Sequence, residues 1–211
     1  MVRATSADVS LPILKNKNYK MVNGLAYYLR QAWKKPDKET LRKRMIEWRA
    51  SDSIVRVENP LRIDRAHSLG YKAKKGVFVV RVRVIRGGHV RPRPNKARIG
   101  RRLHTRLNLK MNYQQICEQR AARKYPNCEV LNSYWIGRDG MHYFYEVILV
   151  DRAAPEIKTD RQLSFVNKPA NYKRIFRGLT SAATKARGLH NSPFKVPKVR
   201  PSLRANNRQG N

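Results

Sequence analysis

Acidic residues are what this chain does without. It has 14 Asp and Glu against 47 Lys and Arg, a formal net charge of +33 over 211 residues. Residues 65–117 hold 15 Lys and Arg and no acid, and residues 161–211 hold 12 and again no acid. The 118–160 segment between them is near neutral, with 6 basic and 7 acidic residues, and residues 1–60 carry 13 and 6. Carboxylates are common general bases and the usual ligands of hard cations. An enzyme would therefore have to keep its chemistry in the central segment, away from most of the charge. The motifs that would support one are missing too. There is no Gly-rich phosphate loop, no HExxH and no paired CxxC. Cys117 and Cys128 stand eleven apart with no second pair, which excludes a disulfide framework and the usual four-ligand zinc site. They read as reduced cysteines in or near a core, in the reducing cell interior. No run of about 18 apolar residues occurs, so no spanning helix is expected. The N-terminus lacks a sustained apolar stretch, so no secretory signal is expected. The reading is of a cytoplasmic protein with no catalytic activity, cofactor, metal or small-molecule substrate.

What is present is positive charge without counter-charge, which repels itself in a compact object. The fitting partner is a polyanion. Two acid-free stretches of some 50 residues each exceed an ordinary solvated face, and nucleic acid, with its dense phosphates, fits better than an anionic membrane surface.

Periodicity outlines an α+β fold: a small, mostly antiparallel sheet with packed helices, a long basic loop and extended N- and C-terminal segments. Residues 1–22 read as an extension. Leu25, Tyr28, Leu29, Ala32 and Trp33 follow one helix face over about 25–35, and Leu41, Met45 and Trp48 follow another over about 38–50. The expectation for both apolar faces is structural packing. SIVRV (53–57) is a short strand candidate, and ENPLRIDRAHS (58–68) reads as a loop or extended arm. VFVVRVRVIR (77–86) is a strand with Phe78, Val80, Val82 and Val84 on one face. Its other face holds Arg81 and Arg83, expected to look outward toward an anion. Residues 87–111 lack periodicity and read as a loop ordered by an external partner. Asn112 and Gln115 have the N-cap and N3 spacing of a helix over about 112–125. CEVLNSYWI (128–136) and HYFYEVILV (142–150) are strands joined by a turn at Gly137-Arg138-Asp139-Gly140. Asp139 and His142 belong to that turn's chemistry. A short helix is expected over about 180–187, and the end beyond Gly188 reads as a tail that folds on something else. Domain boundaries follow: an extension over 1–22, a core over 23–165 and a basic C-terminal extension over 166–211.

The residue types suit RNA, because Arg pairs bidentately with phosphate and stacks on bases. Arg81, Arg83 and Arg86 sit on or at the end of the strand. Arg91, Arg93, Lys96, Arg98, Arg101, Arg102, His104 and Arg106 line the loop. Lys72, Lys74 and Lys75 precede the strand, and Lys173, Arg174, Arg177, Lys185 and Arg187 populate the C-terminal segment. Tyr71 and Tyr172 each neighbour a lysine and are candidates for stacking on unpaired bases or for local packing. Replacing Arg81, Arg83 and Arg86 together is expected to leave the domain folded, because they lie off the apolar face.

Several blocks carry a resemblance: LGYKAKKG (69–76), VRVRVIRGG (80–88), EQRAARKYPN (118–127), LNSYWIG (131–137), EVILVD (146–151) and FRGLTSAATKARGL (176–189). In order and length they resemble the large-subunit ribosomal protein family numbered fifteen in the eukaryotic and archaeal series. YYLRQAWKKPD (27–37) and EWRASDSIVRVENPLRIDRAHS (47–68) are similar to its archaeal branch. The resemblance implies a structural component of the large ribosomal subunit that binds large-subunit rRNA among neighbouring ribosomal proteins. It also implies an α+β domain with long extensions, no catalysis, and RNA contact at Arg86-Gly87-Gly88 and 177–189. Residues 1–22 have no counterpart in the usual family start, and 89–106 matches in charge more than in letters. An architectural DNA-binding protein is the alternative function, and an RNA-modifying enzyme a third.

Overall fold

Strand-forming residues dominate three long segments, and in the computed structural model they pair into one sheet. The structure describes residues 23–90, 106–196, 199, 200, 205 and 207. Two helices come first, α1 (Leu25–Lys34) and α2 (Lys38–Ala50). They are followed by β1 (Ile54–Val57), α3 (Ile63–Ser68) and β2 (Val77–Ile85). Two short strands, β3 (His89–Val90) and β4 (Arg106–Leu107), form a separate antiparallel pair. Then come α4 (Tyr113–Lys124), β5 (Cys128–Arg138), β6 (His142–Asp151), α5 (Pro155–Lys158) and α6 (Ser181–Ala186). The main sheet has the order β1-β2-β6-β5, and every pairing is antiparallel.

Both faces of this sheet are covered, which corrects the one-faced reading of β2. On one side α2, α3 and α5 pack Trp48, Ala66 and Ile157 against Val77, Val79, Ile136, Phe144 and Ile148. On the other, α4 packs Cys117, Ala121 and Ala122 against Val80, Val82, Val84, Val147 and Leu149. Arg81 and Arg83 therefore lie under a helix rather than facing outward. Gly137 shows how closely α2 sits: a Cβ there would come within 3.2 Å of both Met45 Cε and Trp48 Cζ3. The segment 58–68, expected as an arm, contains α3, whose Ala66 is fully buried. Its six residues are too few to display helical periodicity. α1 departs from expectation in the other direction. It buries none of its residues among those described, and Leu25 is 74% exposed.

Several of the scarce acidic residues are spent inside. Glu118, Glu129 and Glu146 are all buried. Glu146 on β6 accepts from Leu61 N at 3.1 and 3.2 Å, anchoring the chain before α3. Glu129 on β5 accepts from Lys173 N at 2.6 Å. Glu118 on α4 accepts from Ser133 Oγ on β5 and, at 2.7 Å, from Thr180 Oγ1. Burial pushes the carboxyls of Glu118 and Glu146 above the usual range, against the hydrogen bonds that pull them down. Two of the three ties reach beyond residue 165. Val166 and Ile175 are 1% exposed in the two cores. The stretch from 166 to 187 is thus packed on the domain, not trailing from it.

Lys74, expected at an RNA surface, donates to Asp160. The Asp160 carboxyl is drawn down to about 2 by that ammonium and by the N–H groups of Leu163 and Gln162. Its folded value is depressed, so its stabilisation is present above the ordinary 3.8 and is lost as pH falls toward 2. Lys74→Ala should move the acid transition, followed by circular dichroism, to higher pH. An unmoved transition would show that the pair contributes nothing.

Candidate nucleic-acid interface

α4 is the element on which the cationic segments meet. Its N-cap is as the spacing predicts, with Asn112 Oδ1 accepting from Gln115 N at 2.8 Å. Asn112 Nδ2 also donates to Ala182 O at 2.8 Å, which fastens α6 beside the start of α4. Tyr113 fastens a second segment. Its hydroxyl accepts from Gly87 N at 2.8 Å and donates to Gly87 O at 3.1 Å. Gly87 has φ +111°, a conformation that L side chains rarely adopt. Arg86 pins the other side of this turn, donating to Asp139 O at 2.7 Å and Gly140 O at 3.2 Å, with its guanidinium over Tyr143. Asp139 does serve its own turn, accepting from Met141 N and His142 N.

Between the Arg86-Gly87-Gly88 turn, residues 108–111 and α4 lies a groove of about 540 Å³. Four of its lining residues, Ile116, Gln119, Arg120 and Arg123, form one stripe of α4. Arg86, His89 and Lys110 complete its basic lining, and no Asp or Glu lines it. Arg123 leads on to the C-terminal segment, its guanidinium 5.9 Å from the centre of the Phe176 ring. Beyond it Lys173, Arg177 and Lys185 are exposed.

The expected RNA-contacting residues divide into three groups. Lys72, Lys75, Lys173 and Lys185 are exposed, and so is Arg177, although it donates to Ala170 O and, at 3.0 Å, to Tyr172 O. Arg91, Arg93, Lys96, Arg98, Arg101, Arg102 and His104 lie outside the described residues, and Arg106 is described only as backbone paired with Val90. The third group is engaged by the protein itself. Arg81 donates to Ser51 Oγ at 3.0 Å and lies over Trp48. Arg83 donates to Arg49 O and, at 3.5 Å, to Trp48 O, carbonyls of the last turn of α2. Arg174 lies over Phe165, and Arg187 donates to Gly178 O at 3.1 Å. Tyr71 is 7% exposed, within the core, so its ring is not offered for stacking. Tyr172 is exposed, but Arg152 and Lys173 both approach its ring, at 4.8 and 5.0 Å.

The placement of the three strand arginines reverses the expectation for them. Arg81→Ala, Arg83→Ala and Arg86→Ala combined should cost about 3 kcal/mol, given hydrogen bonds from charged donors worth about 1.5–3 kcal/mol each and partial exposure. Urea unfolding followed by circular dichroism measures this. An unchanged midpoint would return these side chains to an outward role.

The Ribosomal L15 family model matches residues 24–206. The chain belongs to this ribosomal protein family. "Large ribosomal subunit protein eL15" of the archaeon Picrophilus torridus is 49% identical over 185 residues, covering 85% of this chain and 95% of that protein. Membership makes the chain a structural, non-enzymatic constituent of the ribosome. The family match begins at the residue before α1 and leaves residues 1–23 outside it. Among the described residues no group of three or more His, Cys, Asp or Glu is placed to hold a metal. Cys117 and Cys128 are buried and unbonded, and burial pushes the Cys128 thiol up to about 11 and that of Cys117 further. Both are inert at neutral pH.

Sequence reasoning did not single out Tyr113 or the three buried glutamates. For one of the glutamates a signal was available. Glu146 interrupts the run 143–150, which is otherwise apolar or aromatic, and a charge in such a setting needs an internal partner. Along the chain Arg120 and Arg123 look like any other helix-surface cations. Their significance comes from what β2 and the C-terminal segment place beside them.

Proposed function

We propose that the chain binds the large rRNA of the large ribosomal subunit, in the cytoplasm and beside other subunit proteins, through a cationic face centred on α4. The observation that carries this is convergence. The two acid-free stretches, 65–117 and 161–211, lie on either side of a near-neutral segment in the sequence. Tyr113 holds the first against α4 at Gly87, and Asn112 and Glu118 hold the second. Lys110, Arg120, Arg123, Lys173, Arg177 and Lys185 then serve one partner, and the exposed Lys72 and Lys75 add charge elsewhere on the surface. The basic residues of 91–105 belong to the same acid-free stretch. A backbone-directed, salt-sensitive contact is what such a surface makes.

The test is release from sedimenting subunits. RNase, and not DNase, should free the protein. Affinity of the purified chain for large-subunit rRNA fragments should fall by about 0.7–0.9 log units per log unit of salt for each phosphate neutralised. Release by DNase would instead support an architectural role on DNA, for which family membership gives no support.

A further inference from the structure

The groove beside α4 has a composition that backbone binding alone does not require. One wall is apolar. Leu109, Met111 and Ile116 line it. The rim is cationic, with Lys110, Arg120 and Arg123. Gln119 lies on the same stripe of α4, between Ile116 and Arg123, and presents an amide with both donors and an acceptor. The floor is held in place by the paired Tyr113–Gly87 hydrogen bonds.

We infer that this groove receives a single unpaired nucleotide of the bound RNA, its base against Leu109, Met111 and Ile116 and its phosphate among Lys110, Arg120 and Arg123. The inference rests on the RNA-binding reading above. A volume of about 540 Å³ lies within the range of roughly 300–1,000 Å³ typical of sites that enclose a small molecule. An A-form duplex meets proteins through phosphates and 2′-hydroxyls over a wide, shallow groove, and gains little from an apolar concavity. An extruded nucleotide has the matching parts: an apolar base face, a hydrogen-bonding edge for Gln119 and an anion at one end. Because Ile116, Gln119, Arg120 and Arg123 share one rigid helical stripe, wall, edge reader and phosphate cations keep a fixed spacing.

The experiment uses the full chain and a short RNA hairpin, either fully paired or carrying one bulged nucleotide, with each of the four bases in turn. Affinities are compared at a fixed salt concentration. At least one bulged hairpin should bind about fivefold or more tightly than the paired one, corresponding to the low end of the free energy of placing one base on a protein surface. The double variant Met111→Ser with Gln119→Ala should abolish that preference. It should leave affinity for the paired hairpin and the circular dichroism spectrum unchanged. Equal binding of paired and all bulged hairpins would overturn the inference while leaving RNA binding intact. A preference that survives the double variant would overturn it as well, by placing the base elsewhere. Tighter binding of an oligoglutamate peptide than of any hairpin would assign the groove to an acidic protein segment. Failure to bind any of the RNAs would remove the RNA-binding reading itself, and the inference with it.

Discussion

Glu118→Ala should lower the midpoint of thermal unfolding by about 6–12 °C, from a loss of about 3 kcal/mol in a domain of this size. Glu118 is fully buried and accepts from Ser133 and Thr180. Alanine would leave two buried hydroxyls without an acceptor, at about 1–3 kcal/mol each, and add a cavity. Glu118→Gln should stay close to the parent, because hydroxyls accept as well as donate and can meet both ends of an amide. The two variants also separate by pH. Burial raises the Glu118 carboxyl above its ordinary 4.5. The folded state then holds its proton more tightly than the unfolded chain, and stability falls as pH rises from 4.5 through the raised value. The Gln variant does not titrate there, so it should gain on the parent over that interval. Differential scanning calorimetry at pH 5 and pH 8 would measure both effects, and an alanine variant with the parent's midpoint would sink this account. Function should follow structure. Thr180→Val loosens the same tie, and with it the attachment of residues 168–187 to α4. RNA affinity should weaken in Thr180→Val even though no cation has been removed.

Removing five exposed cations from the α4 face, by Lys110→Ala, Arg120→Ala, Arg123→Ala, Lys173→Ala and Lys185→Ala, should reduce the slope of log affinity against log salt by about 4. Each side chain is exposed and lies on or beside α4 or in the C-terminal segment. The fold should tolerate the set, because none of the five is buried. A matched set on the other side of the sheet gives the comparison. Lys34, Lys35, Lys38, Arg42 and Lys43 are also exposed, on and between α1 and α2. Their removal cancels the same formal charge. If net charge alone drives binding, the two sets lose the same slope. If the α4 face is the contact, the first set loses several times more. Equal losses, read from filter binding or fluorescence titration over a salt series, would rule out a focused face.

Several features were legible in the sequence because they depend on neighbours along the chain. The Asn112 cap, the helix over 38–50 and the strands flanking the 137–140 turn follow from spacings of a few residues, and they appear where the spacing predicts. α3 was not legible, since six residues carry too little periodicity to separate a helix from a loop. The packing of residues 166–187 was not legible either, although the short helix expected over about 180–187 is present as α6. The composition of this segment is that of a solvated tail, yet Ile175 reaches the core and Glu129 and Glu118 tie it down from distant elements. The expected RNA-contacting arginines show the same limit. Alternation along β2 correctly separated Arg81 and Arg83 from Val80, Val82 and Val84, but period two says nothing about whether a helix covers the second face.

By itself, the sequence determined the class of partner and the family. Net charge and an absence of acids are sums over the chain, and ordered blocks of residues identify a lineage without any coordinates. Only the tertiary structure decided which cations the protein consumes internally and which it leaves for a partner. Arg81, Arg83, Arg86 and Lys74 are satisfied by carbonyls, a hydroxyl or a carboxylate that lie from 30 to 86 residues away. Arg123 lines a groove whose opposite wall is the end of β2, and Arg120 lines it too while reaching Arg83 O at 3.5 Å. Hydrogen bonds and Coulomb interactions act through space, so whether a cation is spent or available depends on long-range pairing, which local sequence patterns do not encode.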